Sequence, residues 1–382
     1  MLGDLLKFFQ SLKDLRTELL LFIVGAIFWF FGLFEINQNS INLRSTNNPT
    51  PLILGAIFLI LGLLFSFGFK KQNSNQKKII FYSPTIKENP FYHELLDHII
   101  EIAARKNIQV IAHKGITTTA YYHQVDDFYD VLSKFSNTDH KNTVIIMIPP
   151  SPQSYERIFA LDPEMKINLI TLDMEVDQYY EESMKCTFLK KVITVDNKKG
   201  CQLAAETVVA YCQSQEIEDV NIITCEGEFH NRGKYFREYL LEAGRESHIH
   251  IDFINKLEKR SFSRATTEAY NCVIQSVSEN IDIIKNSATF IFCANDNMAI
   301  GARVALSTLN LRQNTTNIKI ISFDASDIIR QFIELEDRYI YWSVDQKYYK
   351  YADEAVRYAE MILNGHEIEK KTTHIMPEIY RK

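Results

Sequence analysis

Carboxylates, amides, an arginine and several aromatics stand just beyond a succession of short apolar runs, where their types suit one chemistry: holding a ring of hydroxyls. Asn89, Phe91 and Tyr92 follow KIIFYS, Asp173 follows INLITL, and Arg232 follows VNIITC and a glycine turn. Asn295, Asp324 and Gln346 follow TFIFCA, IKIISF and YIYWSV. Carboxylate, amide and guanidinium groups hydrogen-bond hydroxyls in pairs, while flat rings such as Phe91, Tyr92 and Phe262 cover C–H faces. Each residue also has a plainer role. Asp173 and Asp324 suit helix N-caps, Asn89 precedes a helix-starting proline, Phe262 suits a core and Arg232 a surface ion pair. What lifts the set above its members is recurrence at the same stage of successive units. Competing chemistries leave no trace: no G-x-x-x-x-G-K, G-x-G-x-x-G, G-x-S-x-G or H-E-x-x-H occurs. The histidines are dispersed and the cysteines lack metal-type spacing, so neither an enzyme, a cofactor nor a metal is expected.

The elements that position these residues alternate in type. After KIIFYS a helix is expected near 90–105, after IQVIAH near 121–135, and after TVIIMI near 152–161. VITV precedes a helix near 197–214, VNIITC one near 231–244, HIDFI one near 264–278, TFIFCA one near 296–308, IKIISF one near 325–334 and YIYWSV one near 346–364. Strands alternating with helices imply parallel sheets with right-handed crossovers, and this many units overfill one sheet. The fold class expected is α/β with two doubly wound parallel-sheet lobes, lobe 1 about 79–195 and 347–374, lobe 2 about 196–346 and 375–382. In such sheets ligands bind beyond the carboxyl ends of the strands, which is where the residues above fall.

Several stretches resemble the ribose-type periplasmic sugar-binding family. The Ser83 ending KIIFYS, followed by Asn89-Pro90-Phe91-Tyr92, is similar to that family's first strand and helix mouth. INLITLDME, VITVDNKKG, CEGEFHNRGKYFREYL, KRSFSRATTEAY and IKIISFDAS follow in the family's order, and ANDNMAIG is nearly letter for letter. The resemblance runs from about residue 78 to 380 and implies a ligand site of Ser83, Asn89, Phe91, Tyr92, Asp173, Arg232, Phe262, Asn295, Asp324 and Gln346. One departure stands out: the family's arginine after the pocket aspartate is here Met174, followed by Glu175. A lost guanidinium and a gained thioether point away from ribose itself, towards a neutral pentose, polyol or nucleoside-like ligand.

The N-terminal region carries two apolar runs, 19–34 and 51–69, joined by a short polar loop around Arg44. Their lengths lead to the expectation of a transmembrane helical hairpin over 19–69, after a segment 1–18 and before a linker 70–78. Lys7, Lys13, Arg16, Lys70, Lys71, Lys77 and Lys78 flank the runs on their outer ends, which by charge counting places the binding domain in the cytoplasm at an inner membrane. Six scattered cysteines fit a reducing compartment. The net charge of −6, with no basic cluster, excludes nucleic acid as a partner. The partners expected are a sugar- or nucleoside-like molecule, the lipid bilayer and further copies through the hairpin. These readings give a membrane-anchored sensor signalling to its hairpin, an architecture that resembles two-helix membrane effectors of bacterial defence. The alternative is the tethered substrate-binding protein of a sugar ABC importer.

Overall fold

The computed structural model describes residues 34–37, 40–43, 76–83, 89–114, 140–161, 166–175, 180–227, 230–256, 258–260, 265–309, 317–369 and 372–382. The expected spans 19–34 and 51–69 (apart from Phe34), the helix near 121–135 and Phe262 lie outside the described residues. The chain divides into two compact units, residues 1–76 and 77–382. In the first, β1 (Phe34–Asn37) pairs antiparallel with β2 (Ser40–Leu43), Phe34 opposite Leu43, where a loop between spans was expected.

The second unit continues in chain order with β3 (Lys78–Ser83), α1 (Pro90–Arg105), β4 (Gln109–Lys114), β5 (Thr143–Met147), α2 (Ser154–Phe159), β6 (Leu169–Leu172), α3 (Tyr180–Lys185) and β7 (Leu189–Val195). Next come α4 (Asn197–Ser214), β8 (Asp219–Gly227), α5 (Arg232–Glu246), β9 (His250–Phe253), β10 (Lys259–Arg260), α6 (Ala265–Glu279), α7 (Ile281–Asn286), β11 (Ala288–Cys293) and α8 (Asp296–Thr308). The chain ends with β12 (Ile318–Asp324), α9 (Asp327–Glu334), β13 (Ile340–Asp345), α10 (Tyr348–Leu363), β14 (Thr372–Ile375) and β15 (Glu378–Tyr380).

Two sheets result. The first runs β14-β7-β6-β5-β3-β4, every pair parallel. The second runs β10-β8-β11-β12-β13-β15, with β9 also on β8, and is parallel except for the antiparallel β15. The chain passes from the first sheet to the second after Val195, returns after Asp345, and crosses again between Ile375 and Glu378.

Burial on both faces explains why these strands read as unbroken apolar runs. In β3, Ile79 and Phe81 enter one core cluster while Ile80 and Tyr82 enter the other, with Tyr155, Ile158 and Met174. Each fully buried Ile or Phe contributes about 1.5–3 kcal/mol relative to exposure. In the second lobe, Phe236 stacks on Phe292 at 4.2 Å between centroids and Phe290 on Trp342 at 5.9 Å. Gly301 lets α8 reach α6: a Cβ there would sit 2.1 Å from the Thr266 carbonyl oxygen. That contact is the physical reason for the glycine in ANDNMAIG.

Left-handed backbone sorts by place. Asn107, Glu216, His248 and Glu336 lie just past the C-caps of α1, α4, α5 and α9, a position glycine usually takes. Asp173, His230, Asn231, Asp324, Ala325 and Lys347 instead lie at or beyond strand ends of the two sheets, where strain accompanies sites.

Candidate functional site

Asp173 leaves β6 with φ +65°, held by its backbone N–H on the Ile193 carbonyl at 2.8 Å. This turn aims the carboxylate away from the helix-capping role and towards α1. The Tyr92 hydroxyl donates to its Oδ2 at 2.8 Å, while Oδ1 is buried without a partner. Burial pushes the Tyr92 phenol well above its usual range, and Asp173 reinforces the shift. Ser83, at the end of β3 in the same sheet, likewise has a buried Oγ without a partner.

The second lobe contributes a denser arrangement. Arg232 opens α5, 2% exposed, and its guanidinium lies 3.9 Å from the Phe323 ring. Its Nε donates to Asn197 Oδ1 at 2.7 Å; its Nη1 donates to the Ala294 carbonyl at 2.8 Å and to Asp324 Oδ1 at 3.2 Å. Its Nη2 has no partner. Gln346 Nε2 also donates to Asp324 Oδ1, and the Asp296 amide approaches Oδ2 at 3.4 Å. Burial raises the Asp324 carboxyl well above the usual range, with Arg232 pulling the other way. Asp296 is fixed in turn by Ser322 and by the Ser326 N–H and hydroxyl at 2.7 and 2.6 Å.

Ten residues were nominated from sequence, and the structure sorts them. Tyr92, Asp173, Arg232, Asp324 and Gln346 meet across the two lobes: the Tyr92 hydroxyl feels Asp173, Asp324 and Arg232 electrostatically, and Tyr351 donates to Gln346 Oε1 at 3.5 Å. Asn89 and Asn295 take the plainer role of N-caps, accepting from the Phe91 and Met298 amides at 3.1 and 2.9 Å. Phe91 sits in the core, edge-on to Tyr92, Tyr348 and Tyr351. Phe262 is not described.

Three participants escaped the sequence reading. Asn197 looked like part of a helix start, but Asp196 caps α4 through the Lys199 amide, which frees Asn197 to join Arg232 to Glu175. Asp296, in the first turn of α8, is a buried strut. His230, with φ +73°, lies close enough to Arg232 and Asp173 to feel both, and burial lowers its imidazole to about 4. Only the doublet Asp196-Asn197 carried a signal, since two capping residues in a row leave one to spare.

The sequence matches the periplasmic binding protein domain over residues 80–367, most of the chain. The chain belongs to that family. Solved structures agree on its fold. A periplasmic solute binding protein of an ABC transporter from Actinobacillus succinogenes, holding D-allose, superposes with TM-score 0.63 at 20% identity, over 80% of this chain and 98% of that one. A solute binding protein from Agrobacterium vitis holding allitol gives 0.61 at 14%, covering 80% and 96%. One from Bacillus halodurans holding myo-inositol gives 0.61 at 16%, covering 81% and 96%. No curated protein sequence matches.

Family membership overturns the expected cytoplasmic placement at the inner membrane, because the domain is a periplasmic one in its relatives. Among the described residues no helix is long and apolar enough to cross a membrane, and the runs 19–34 and 51–69 on which charge counting rests lie, apart from Phe34, outside those residues. The cysteine argument fails for a separate reason. All six cysteines are buried and none forms a disulfide, and burial raises the thiols of Cys201 and Cys212, the latter to about 11. Enclosed thiols are inert and need no reducing compartment.

Proposed function

We propose that this chain is an extracytoplasmic solute-binding protein of the sugar-importer kind, closing two lobes on a neutral sugar or polyol. The observation that carries the reading is that, among the buried polar atoms without partners in the described residues, three belong to residues of the nominated site: Ser83 Oγ, Asp173 Oδ1 and Arg232 Nη2. An unmade hydrogen bond in a buried group costs about 1–3 kcal/mol, so a fold that keeps three expects them to be met by something else. A sugar hydroxyl both donates and accepts, and can therefore serve a carboxylate and a guanidinium at once. The sugars and polyols held by the similar solved structures have this chemistry.

Charge narrows the class. At the mouth of α5, a natural anion site, the Lys234 amide is taken by Glu226 Oε2 at 2.9 Å, while Glu226 Oε1 accepts from Gly227 N at the end of β8 at 3.1 Å. A phosphate would meet the carboxylates of Glu226, Asp173 and Asp324 against the open Nη2 of Arg232, an unfavourable balance for an anion. The sensor reading loses its cytoplasmic side to the family placement, which favours the importer alternative.

The test is thermal unfolding of the full chain with D-allose, allitol, D-tagatose, D-fucose and myo-inositol. A ligand at about 100 times its Kd stabilises by about 2.7 kcal/mol. Stabilisation by at least one of these compounds, absent in Asp173→Asn, is the expected result. Failure of all of them, or stronger stabilisation by a sugar phosphate, would sink the proposal.

A further inference from the structure

Outside the ligand cluster, the lobes also meet at the N-terminus of α9. Glu94 projects from α1 of the first lobe, and its Oε1 accepts from the Asp327 backbone N–H of the second at 2.9 Å. From α10, also on the first lobe, the Tyr348 hydroxyl donates to Asp327 Oδ1 at 3.1 Å. Glu94 Oε2 is buried and has no partner. None of these groups belongs to the site nominated from sequence.

We infer that Glu94 is a positioning residue for ligand binding, clasping the closed lobes through the first amide of α9 in its protonated form. The inference rests on the solute-binding reading above. Protonation suits the geometry. One carboxyl oxygen suffices to accept from Asp327 N, whereas a full negative charge would sit beside the Asp327 carboxylate and near Asp296 at the head of α8. The cationic neighbour on α9 is Arg330, already committed to the Asp345 carboxylate at 2.7 Å and to the Ala325 carbonyl at 2.7 Å. Tyr348 on α10 stays protonated, its phenol pushed up by burial, and it packs against His98 of α1 with ring centroids 5.3 Å apart. Arg330 favours the ionised form of Glu94 but is shared with Asp345, which weakens its hold. Burial accordingly raises the Glu94 carboxyl from 4.5 to about 7, with the Asp327 amide partly opposing the rise.

The sign follows from linkage. Opening the lobes returns Glu94 to solvent and to an ordinary carboxyl pKa, so closure takes up a proton. Affinity is then highest at or below about pH 4.5, declines as pH rises towards 7, and is level above that. Because Glu94 is half-exposed, solvent screening reduces the full linkage, and a change of about fivefold to tenfold across this window is expected.

The experiment measures the affinity of the full chain for whichever of the five sugars and polyols binds best, from pH 5 to 8, in wild type, Glu94→Gln and Glu94→Ala. Glutamine mimics the protonated acid. Glu94→Gln should bind about fivefold tighter than wild type at pH 8 and lose most of the pH slope, while Glu94→Ala should bind weakly throughout. A slope unchanged in Glu94→Gln, or no gain at pH 8, would overturn the clasp. If none of the compounds binds, the solute-binding reading fails by itself, and small-angle scattering of the ligand-free chain at pH 5 and 8 decides the clasp. A more compact Glu94→Gln at pH 8 supports it, and scattering identical to wild type at both pH values overturns it.

Discussion

The two pocket aspartates occupy equivalent places, each at the end of a parallel strand with left-handed backbone, yet their surroundings differ. Asp324 in the second lobe is met by Arg232, Gln346 and the Asp296 amide, and Arg232 is itself braced by Asn197 and Ala294. Asp173 in the first lobe is met by the Tyr92 hydroxyl on one oxygen and keeps the other open. The second lobe therefore carries a preorganised charge network, while the first holds a nearly unengaged acceptor. A ligand adds little to the cohesion of the former and supplies what the latter lacks.

The sharpest way to break this contrast is Asp324→Asn, which leaves Arg232 buried beside a neutral amide. It should cost about 3 kcal/mol in chemical denaturation, against about 1 kcal/mol or less for Asp173→Asn, since Tyr92 still finds an amide oxygen. Equal losses would remove the distinction. Next in size, Gly301→Ala should cost about 2–3 kcal/mol, because its Cβ meets a backbone carbonyl that cannot swing aside. A smaller loss would mean that the second lobe is less rigid than its packing implies.

His230 is influenced by Arg232 of the second lobe and Asp173 of the first, and its pH behaviour sharpens the comparison. An imidazole lowered from 6.5 to about 4 is neutral in the fold, so its contribution is complete above pH 6.5 and disappears as pH falls towards 4. His230→Asn should flatten the acid side of the unfolding curve by up to about 2 kcal/mol, and an unchanged curve would exclude it from the cleft's charge balance. The smallest effect is expected from Tyr92→Phe: about 1 kcal/mol in stability, with Asp173 Oδ2 released. Calorimetric titration should then show relaxed discrimination among the sugars, whereas an unaltered ranking would reduce Tyr92 to a packing residue.

Much of the architecture follows from local pattern. The alternation of apolar runs with helical periods, from KIIFYS to YIYWSV, places the strands and described helices it names within about two residues, except that β7 begins three residues before VITV; β10, α3 and α7 were not expected. The strands β14 and β15 were not legible, being short and partly polar; they exist because β7 and β13 offer edges to pair with. Asp173 and Asp324 were legible as strand-end acids, but the same rule could not separate them from Asn89 and Asn295, which cap helices. Whether such a side chain turns back to its own amides or outward depends on φ, and a left-handed φ at a non-glycine residue is imposed by the surrounding fold.

The amino-acid sequence by itself determined the two-lobed α/β arrangement, because burial on both faces of parallel strands writes continuous apolar runs into the chain. It also determined which residue types stand at the strand ends. Tertiary structure alone decided which of them face one another, that Asn197 rather than Asp196 reaches Arg232, and that Glu94 of one lobe meets the first amide of α9 in the other. Those choices join residues distant in sequence, and no local periodicity encodes a distance between two lobes.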